Sequence, residues 1–422
     1  MRGDARRVRR VPADFLSRAA TVLTAALSAV LLAPGVASAL RRIPNTSSAV
    51  HVWDDQLPDS MTAAQVRFVA RHVDGTQKVS LQTARRLRAI KPGFLVLHYR
   101  LGIGDGPVPF RIGNRWASDY GSVTHHESWF WHQNGQRVRQ TQYDWYLMNP
   151  DSGWRSYWAR RVLYEAHLLH DDGVFADSLS VPQYLGAGTF SPPLQYFVGE
   201  AAWRRRINRF MRYEHRRLRH RLWFIPNAGS WITTRDRTNY SIPDGVMIEG
   251  FAEGSASEFY ALGDWRLEMN RVLGLVRRGR IILAQSYLGP SDMTARGFVL
   301  GSYLLVKGKH TFLNMDIGAE AQWFPEYAVK LGRPSSRAPK RIDALRTRNG
   351  LYVRHYKRGL VAVNPTDAAL TLTLHHPMKL VRPIGGGALD DAASTRGWRL
   401  QQIAVHGSVS VPSHGGLVLL TA

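Results

Sequence analysis

Short apolar runs alternate with longer amphipathic segments from residue 47 to about residue 330. The apolar runs predict eight strands, at residues 50–53, 66–70, 93–99, 173–176, 222–227, 245–249, 281–285 and 310–314. The segments near residues 80–90, 152–170, 200–220, 256–277 and 291–306 predict helices. Uniformly apolar strands that alternate with helices are typical of a parallel sheet buried on both faces. Eight such units predict an α/β fold of the (β/α)8 TIM-barrel type. A doubly wound sheet is the alternative, but no glycine-rich phosphate-binding motif follows any of these strands.

The pattern changes beyond residue 330. A segment rich in proline, serine and lysine, residues 334–340, has the composition of a linker. Further strands are predicted at residues 351–354, 359–364, 370–374 and 416–420, with alternating side chains and Gly/Pro turns between them. We therefore expect a barrel over residues 44–332 and a C-terminal antiparallel β-sandwich domain over residues 345–422.

The first 39 residues have the layout of a cleaved export signal. An arginine-rich head precedes an Ala/Leu/Val-rich run over about residues 19–33, and Ala37-Ser38-Ala39 supplies a small-x-small cleavage site. The run is short for a membrane span, which usually needs about 20 residues. We expect residues 1–39 to be a signal peptide, and the mature chain to be exported to the periplasm or the extracellular space without a stable membrane span.

Composition and charge narrow the possible chemistry. The chain has 422 residues and no cysteine, which excludes disulfides, thiolate metal sites and cysteine nucleophiles. Its formal net charge is +24, and removing the six arginines and two aspartates of residues 1–39 leaves +20. This excess favours an anionic partner such as an anionic polysaccharide. Because no nucleic-acid-binding motif accompanies the arginines, a nucleic acid is not expected as a partner.

Polar side chains follow nearly every predicted barrel strand. Barrel enzymes carry their working residues at the carboxyl ends of the strands. The substrate-binding residues expected from this rule are Asp54, Asp55, His98, Tyr99, Asn227, Gln285 and Tyr287.

Two carboxylates at these ends differ in their surroundings. Asp177 and Glu249 directly follow apolar strands that lie two strands apart. Glycoside hydrolysis needs one carboxylic acid to protonate the leaving oxygen and a second carboxylate to attack the anomeric carbon or activate water. Glu249 has the more apolar sequence neighbours, which favour a protonated acid. The sequence therefore predicts Glu249 as the general acid and Asp177 as the nucleophile or base.

The segment 101–158 is rich in tryptophan. It contains six of the thirteen tryptophans, and flat aromatic faces suit the C–H patches of sugar rings. Long connections of this kind are often functional. Trp129 and Trp131 are therefore predicted as sugar-binding platforms.

Three stretches carry a resemblance to known enzymes. The run from Ala70 to Lys78, the run Asp172-Gly-Val-Phe-Ala-Asp-Ser178 and the strand ending at Glu249 resemble the "hypothetical glycosyl hydrolase family 15" group of TIM barrels. The chain is more distantly similar to α-galactosidase-like and polygalactosaminidase-like barrels. The resemblance covers about residues 47–420 and implies a nucleophilic Asp after strand four and an acid/base after strand six. These roles fall on Asp177 and Glu249, and a C-terminal β domain is common in such enzymes.

The sequence thus predicts an exported glycoside hydrolase that acts on a carbohydrate and needs no metal or organic cofactor. Two alternatives stay open. A metal-dependent polysaccharide deacetylase could use Asp54-Asp55 with His167 and His170, which have the spacing of a metal-binding pair. A non-catalytic glycan-binding envelope protein would use the same carboxylates only as hydrogen-bond partners.

Overall fold

The structure is a computed structural model that describes residues 40–107, 119–185, 190–194, 199–255 and 258–422. Leu40–Ala422 forms one compact unit. The predicted signal peptide, residues 1–39, lies outside the described residues. Among the residues that are described, no helix is both long enough and apolar enough to cross a membrane.

Eight parallel strands form the central sheet. They are β1 Val52–Gln56, β2 Val73–Gln77, β3 Leu95–Leu101, β4 Gly173–Asp177, β5 Trp223–Pro226, β6 Gly245–Glu249, β7 Ile281–Gln285 and β8 Thr311–Asn314. Their order is β5-β4-β3-β2-β1-β8-β7-β6, and a parallel bridge between Asn227 and Met247 joins the two outer strands. The sheet therefore closes into the predicted (β/α)8 barrel.

Helices connect the strands. They are α1 Ala63–His72, α2 Leu81–Ile90, α3 Tyr120–Val123, α4 Trp154–Leu169, α5 Glu200–Leu218, α6 Leu262–Val276 and α7 Met293–Val306. The predicted strand at residues 66–70 is wrong, because this run lies inside α1. Its buried residues Val66, Val69 and Ala70 have helical spacing, and Thr62 and Gln65 form a capping box at the start of the helix. The second strand is instead Val73–Gln77, immediately after α1.

Alternate residues of the strands fill the barrel interior. Trp53, Leu97, Phe175, Met247 and Leu283 belong to one buried apolar cluster inside the cylinder. Because side chains alternate along a strand, residues two positions further on point into the same space at the carboxyl end. This periodicity decides which strand-end side chains can meet.

Several short strands lie outside the central sheet. A four-stranded antiparallel sheet follows β3 and has the order Phe190–Ser191, Arg139–Gln140, Trp145–Leu147, Gly104–Asp105. Three further pairs are His132–Gln133 with Gln136–Arg137, Glu253–Ser255 with Glu258–Phe259, and Gln322–Trp323 with Gly387–Ala388.

The C-terminal region is antiparallel. Its strands are β9 Tyr352–Tyr356, β10 Gly359–Asn364, β11 Leu370–Thr373, β12 Met378–Ile384, β13 Arg399–Val405, β14 Ser408–Val411 and β15 Gly415–Thr421. Five of them form a sheet in the order β9-β10-β15-β12-β13, and β11 pairs with β14. Leu360, Leu372, Val411 and Leu419 share one buried cluster between these two sheets, as the predicted sandwich requires.

The other face of the five-stranded sheet packs on α7. Val361 and Val418 belong to the same large apolar core as Phe298 of that helix. Gly297 of α7 and Gly416 of β15 meet so closely that a Cβ atom on Gly297 would lie 2.6 Å from the Gly416 carbonyl oxygen. The two glycines therefore let this helix and the sheet touch through their backbones.

Candidate active site

The interior-facing positions of the strands are apolar within the barrel and polar at its carboxyl end. Two residues beyond the interior-facing positions of the eight strands lie Asp55, Gln77, Tyr99, Asp177, Asn227, Glu249, Gln285 and Asn314. Hydrogen bonds link most of them into two groups, one centred on Asn227 and the other on Asp55. Asp177 and Glu249 are both half-buried, so solvent still reaches this end of the barrel.

One amide group connects the two predicted catalytic carboxylates. Asn227 Nδ2 donates to Asp177 Oδ1 at 2.9 Å and also donates to Glu249 Oε2. The amide is held from its other side, because the Gly229 N–H donates to Asn227 Oδ1 at 2.8 Å. Asp177 and Glu249 therefore converge on one point from β4 and β6.

Asp177 is held by three donors. Besides Asn227, the Tyr99 hydroxyl donates to Oδ2, and the Ser178 N–H donates to Oδ1 at 2.7 Å. Ser178 has a φ of 52°, in the left-handed region that residues with a Cβ rarely adopt. Strained backbone of this kind concentrates at functional sites, and here it accompanies the bond from Ser178 to the Asp177 carboxylate. The orientation of Asp177 is thus strongly determined.

Glu249 accepts hydrogen bonds from Asn227 and from the Tyr287 hydroxyl. Burial and the neighbouring negative charge of Asp177 raise the pKa of Glu249, although these two hydrogen bonds act in the opposite direction. A raised pKa is what a carboxylic acid needs to keep its proton near neutral pH. In turn, burial and the charge of Glu249 raise the pKa of Tyr287, which remains a hydrogen-bond donor.

A lysine that the sequence analysis did not identify supplies positive charge to this site. Lys78 Nζ donates to Asp55 Oδ2 at 2.7 Å, and Gln77 donates to the other oxygen of Asp55. Burial lowers the pKa of Lys78, but the charges of Asp55, Asp177 and Glu249 outweigh it and raise the pKa overall. Lys78 therefore stays a cation among three carboxylates.

The prediction missed Lys78 and Gln77 because it placed the second strand too early. With the strand at Val73–Gln77, the rule that strand ends carry polar groups would have identified both residues. Lys78 also has a left-handed φ of 60°, another strained position at this end of the barrel.

Gln285 and Tyr287 both lie at the carboxyl end of β7. Gln285 is fully buried beside Glu249 in the sheet register and donates to the Trp53 carbonyl oxygen at 3.2 Å. Its own Oε1 atom is buried without a hydrogen-bond partner. Gln285 thus bonds to the backbone of β1, whereas the Tyr287 hydroxyl donates to Glu249 directly.

His98 is not brought to the site. It precedes Tyr99 on β3, so its side chain faces the outer helices instead of the barrel interior. Its Nε2 atom lies 3.0 Å from Glu165 Oε2 on α4, and its Nδ1 atom lies 3.6 Å from Asp171 Oδ2. The predicted role of His98 in substrate binding is therefore corrected to an ion-paired contact between strand and helix.

Asp54 and Asp55 are separated in the same way. Asp55 faces the interior, while Asp54 faces outward from β1 and accepts from the Gln56 N–H at 3.0 Å. Burial, opposed by that hydrogen bond and helped by the charges of Asp55 and Asp316, raises the pKa of Asp54 to about 7. Of the two residues, only Asp55 contacts the Lys78 ammonium group.

The two predicted tryptophan platforms pack against outer helices of the barrel. Trp129 stacks on His126 with ring centroids 3.9 Å apart and also packs against Tyr157 of α4. Trp131 packs against Trp203 of α5 with centroids 4.6 Å apart. Their ring contacts are therefore with the helical layer and not with the carboxylate network.

The residues of the deacetylase alternative do not converge. Asp55 lies at the carboxyl end of β1, whereas His167 and His170 lie at the end of α4, just before the amino end of β4. Across the described parts of the chain, no cluster of three or more histidine, aspartate or glutamate side chains could hold a metal ion. The geometry therefore does not support the metal-binding set of this alternative.

The profile of the hypothetical glycosyl hydrolase family 15 matches residues 88–360, which include Asp177, Asn227 and Glu249. No curated protein sequence matches the chain.

Several solved structures are similar to this chain. The glycoside hydrolase domain of PelA from Pseudomonas aeruginosa has 16% identity and a TM-score of 0.42, and the match covers 65% of this chain and 95% of that one. The isomalto-dextranase of Arthrobacter globiformis T6 has 12% identity and a TM-score of 0.47, with 91% and 76% covered. Ega3 of Aspergillus fumigatus has 12% identity and a TM-score of 0.35, with 60% and 82% covered.

The family profile spans well over half of the chain, and it contains both carboxylates that the barrel brings together. Glycoside hydrolysis is the reaction class that the family description gives. The chain belongs to the hypothetical glycosyl hydrolase family 15 and is a glycosyl hydrolase built on a (β/α)8 barrel.

Proposed function

We propose that this chain is an exported glycoside hydrolase that cleaves a glycosidic bond with Glu249 as general acid and Asp177 as nucleophile. The observation that carries the proposal is the shared amide of Asn227, which donates to both carboxylates. Tyr99, Asp55, Gln285 and Tyr287 are proposed to border the sugar-binding site. Residues 1–39 are proposed as the export signal, residues 44–332 as the catalytic barrel and residues 345–422 as the C-terminal β domain.

The proposed reaction has two steps. In the first, the Glu249 carboxylic acid gives its proton to the glycosidic oxygen while an Asp177 oxygen attacks the anomeric carbon. The bond to the leaving sugar breaks, and a glycosyl ester forms on Asp177. In the second step, the Glu249 carboxylate removes a proton from water, the water oxygen attacks the anomeric carbon, and the bond to Asp177 breaks. Both carboxyl groups then have their starting protonation states.

The bonding of both carboxylates to one amide group favours retention of configuration. Two acceptors of one NH2 group, at ordinary hydrogen-bond lengths and about 120° apart, lie about 5 Å from each other. Retaining enzymes hold their carboxyl groups about 5–5.5 Å apart, whereas inverting enzymes need about 6.5–9.5 Å to admit a water molecule. The shared Asn227 amide therefore supports a nucleophilic role for Asp177.

A cavity near this end of the barrel supports an anionic sugar as substrate. Its volume is about 300 Å³, and its lining includes Arg204, Arg235 and Arg237 with Glu200 as the carboxylate. The cavity lies between the segment that follows β4 and the segment that follows β5. Glu200 pairs with Arg235, which leaves an excess of positive charge for a uronic acid or another acidic substituent.

The test is a screen of neutral and acidic polysaccharides for released reducing ends, with the purified wild-type protein and the variants Asp177→Asn and Glu249→Gln. Both variants should lose at least about a thousandfold in kcat/KM, since each removes one half of the acid–nucleophile pair. Matched controls are Asp391→Asn and Glu320→Gln, which make the same substitutions at exposed positions. These controls should retain full activity.

Two results would contradict the proposal. The assignment of roles is wrong if the variants and the wild type release sugar at equal rates. Saturable glycan binding without any turnover would instead identify a binding protein. The proposal of an acidic substrate has its own test. Arg237→Gln should raise KM for an acidic glycan more than for its neutral counterpart, and an equal effect on both would contradict it.

A further inference from the structure

A second large cavity lies at the opposite end of the barrel. Its volume is about 730 Å³, and it lies against the segments that precede β1, β7 and β8, with residues 333–338 along another side. Six of its lining residues are cationic, namely Arg277, Lys307, Lys309, Arg333, Arg337 and Arg354, and none is an aspartate or a glutamate. The reaction proposed above uses none of these residues.

Two of the cations form a buried floor. Lys307 is 1% exposed and Arg354 is 2% exposed. Lys307 Nζ donates to the Thr46 carbonyl oxygen, and Arg354 Nη1 donates to the carbonyl oxygens of Leu304, Leu305 and Lys307. Arg354 Nε is buried without a hydrogen-bond partner.

Neither buried cation has a carboxylate as partner among the residues that the structure describes. Burial and the nearby Arg354 charge lower the pKa of Lys307 to about 7, so an anion beside this lysine would favour its charged form. Burial likewise lowers the pKa of Arg354, against the smaller effect of Tyr356. A buried cation without an anion is costly, and a bound anion would offset that cost.

Other cations at this end of the barrel are paired. Asp172 forms ion pairs with Arg41 at 2.5 Å and with Arg88 at 2.7 Å. Asp74 forms an ion pair with Lys91 at 2.8 Å. The chain therefore matches cations with carboxylates beside β2 and β4, but not in the cavity beside β1, β7 and β8.

We propose that this cavity is a binding site for the phosphate-type oxyanions of a polyanionic chain. Arginine guanidinium groups present paired N–H donors that match the oxygens of such anions. The four exposed cations, Arg277, Lys309, Arg333 and Arg337, surround the floor and supply further charges for a chain. A volume of about 730 Å³ is in the range of sites for molecules much larger than a single ion.

This site is independent of the proposed hydrolysis. It lies at the end of the barrel away from Asp177 and Glu249, so Glu249→Gln should bind the polyanion as tightly as the wild type. Loss of activity and loss of this binding can therefore be distinguished.

The experiment is calorimetric titration of the full-length protein with two probes, inorganic phosphate and short-chain polyphosphate. The test variant combines Lys309→Gln, Arg333→Gln and Arg337→Gln. The matched control combines Arg205→Gln, Arg212→Gln and Arg216→Gln on α5, which removes the same charge from other exposed positions. We expect one polyphosphate chain per protein, a Kd at least tenfold higher in the test variant, and a change of less than twofold in the control.

A second variant examines the floor. Lys307→Met should weaken polyphosphate binding without lowering the melting temperature of the free protein, because it removes a buried charge that lacks a carboxylate partner. Polyphosphate should raise the melting temperature of the wild type, and the triple test variant should lose most of this increase.

Three outcomes would overturn the proposal. Equal weakening in the test and control variants would show binding by net charge alone. Absence of saturable polyphosphate binding would show that the cavity does not bind a polyanionic chain. Binding of inorganic phosphate as tightly as polyphosphate would assign the cavity to the free ion and contradict the role of a chain.

Discussion

Two sites at opposite ends of the barrel hold charges of opposite sign in different arrangements. At the carboxyl end, Asp55, Asp177 and Glu249 surround Lys78, and neutral amide and hydroxyl donors tie the carboxylates in place. At the amino end, the cavity floored by Lys307 and Arg354 has only cations among its charged lining residues. The same closed sheet therefore holds a compensated acidic site at one end and an uncompensated basic site at the other.

This difference indicates what each end can do. Hydrogen-bonded carboxylates of fixed orientation suit bond making and breaking, because their positions are set before substrate arrives. Uncompensated cations suit reversible binding of an anion, because the anion supplies what the protein lacks. Substitutions at the carboxyl end should consequently change turnover, and substitutions at the amino end should change only binding.

After loss of either carboxylate itself, the largest expected effect comes from the amide that joins them. Asn227→Ala should lower kcat/KM by about 10²- to 10³-fold, the usual cost of removing one fixed donor from a catalytic site. Asn227→Asp should cost more, since it replaces that donor with a third negative charge between Asp177 and Glu249. Steady-state kinetics on the substrate found in the screen would measure both losses.

The control for this prediction is Asn349→Ala, at an exposed position near β9 whose side chain bonds to the Thr371 carbonyl oxygen and the Thr347 hydroxyl. It should leave kcat/KM unchanged. Full activity of Asn227→Ala would contradict the view that the carboxylates act across a shared amide.

A smaller effect is expected at Lys78. Lys78→Met removes a cation that interacts with all three carboxylates, so the pKa of Glu249 should rise further. Because Glu249 acts as the protonated acid, the alkaline limb of the kcat/KM profile should move to higher pH by about one unit. The profile of Lys309→Met, a lysine at the other end of the barrel, should match that of the wild type. If the alkaline limb moves in the Lys309 variant, or does not move in the Lys78 variant, the two ends do not differ in function as described.

The smallest effect on turnover is expected at His98. Burial lowers the pKa of His98, but its interactions with Asp171 and Glu165 outweigh burial and raise it. A raised pKa stabilises the fold at pH values below about 6.5, and this contribution is lost as the pH rises through the folded-state pKa. His98→Gln should therefore lower stability by about 1–3 kcal/mol near pH 6 and by less at pH 9, with kcat unchanged.

Thermal unfolding of the wild type and of His98→Gln from pH 5 to pH 9 would measure this dependence. A large loss of kcat in His98→Gln with unchanged stability would place His98 in the site, contrary to its outward orientation on β3.

The barrel could be predicted because its strands have clear ends. The predicted strands at residues 245–249 and 281–285 coincide with β6 and β7, since each is an apolar run that stops at a polar residue. The run at residues 66–70 misled the prediction because a short apolar run fits a strand or one side of a buried helix equally well. That error concealed Lys78, which follows the true second strand.

The direction of side chains also limited what could be predicted from the sequence. His98 and Tyr99 are neighbours on β3, and the alternation of a strand sends one outward and the other to Asp177. Only the register of the closed sheet decides which of them faces the interior. In the C-terminal region, β12 and β13 escaped prediction because their side chains are largely half-buried or exposed, so no apolar run marks them.

The most direct test of the central claim, that Asp177 and Glu249 act on one bond across a shared amide, is the configuration of the first product. Proton NMR during hydrolysis by the wild type should show the anomer of the substrate, and peptide mapping after trapping with a 2-fluoro sugar should find the glycosyl ester on Asp177. A product of inverted configuration, or an ester on any other residue, would contradict the account.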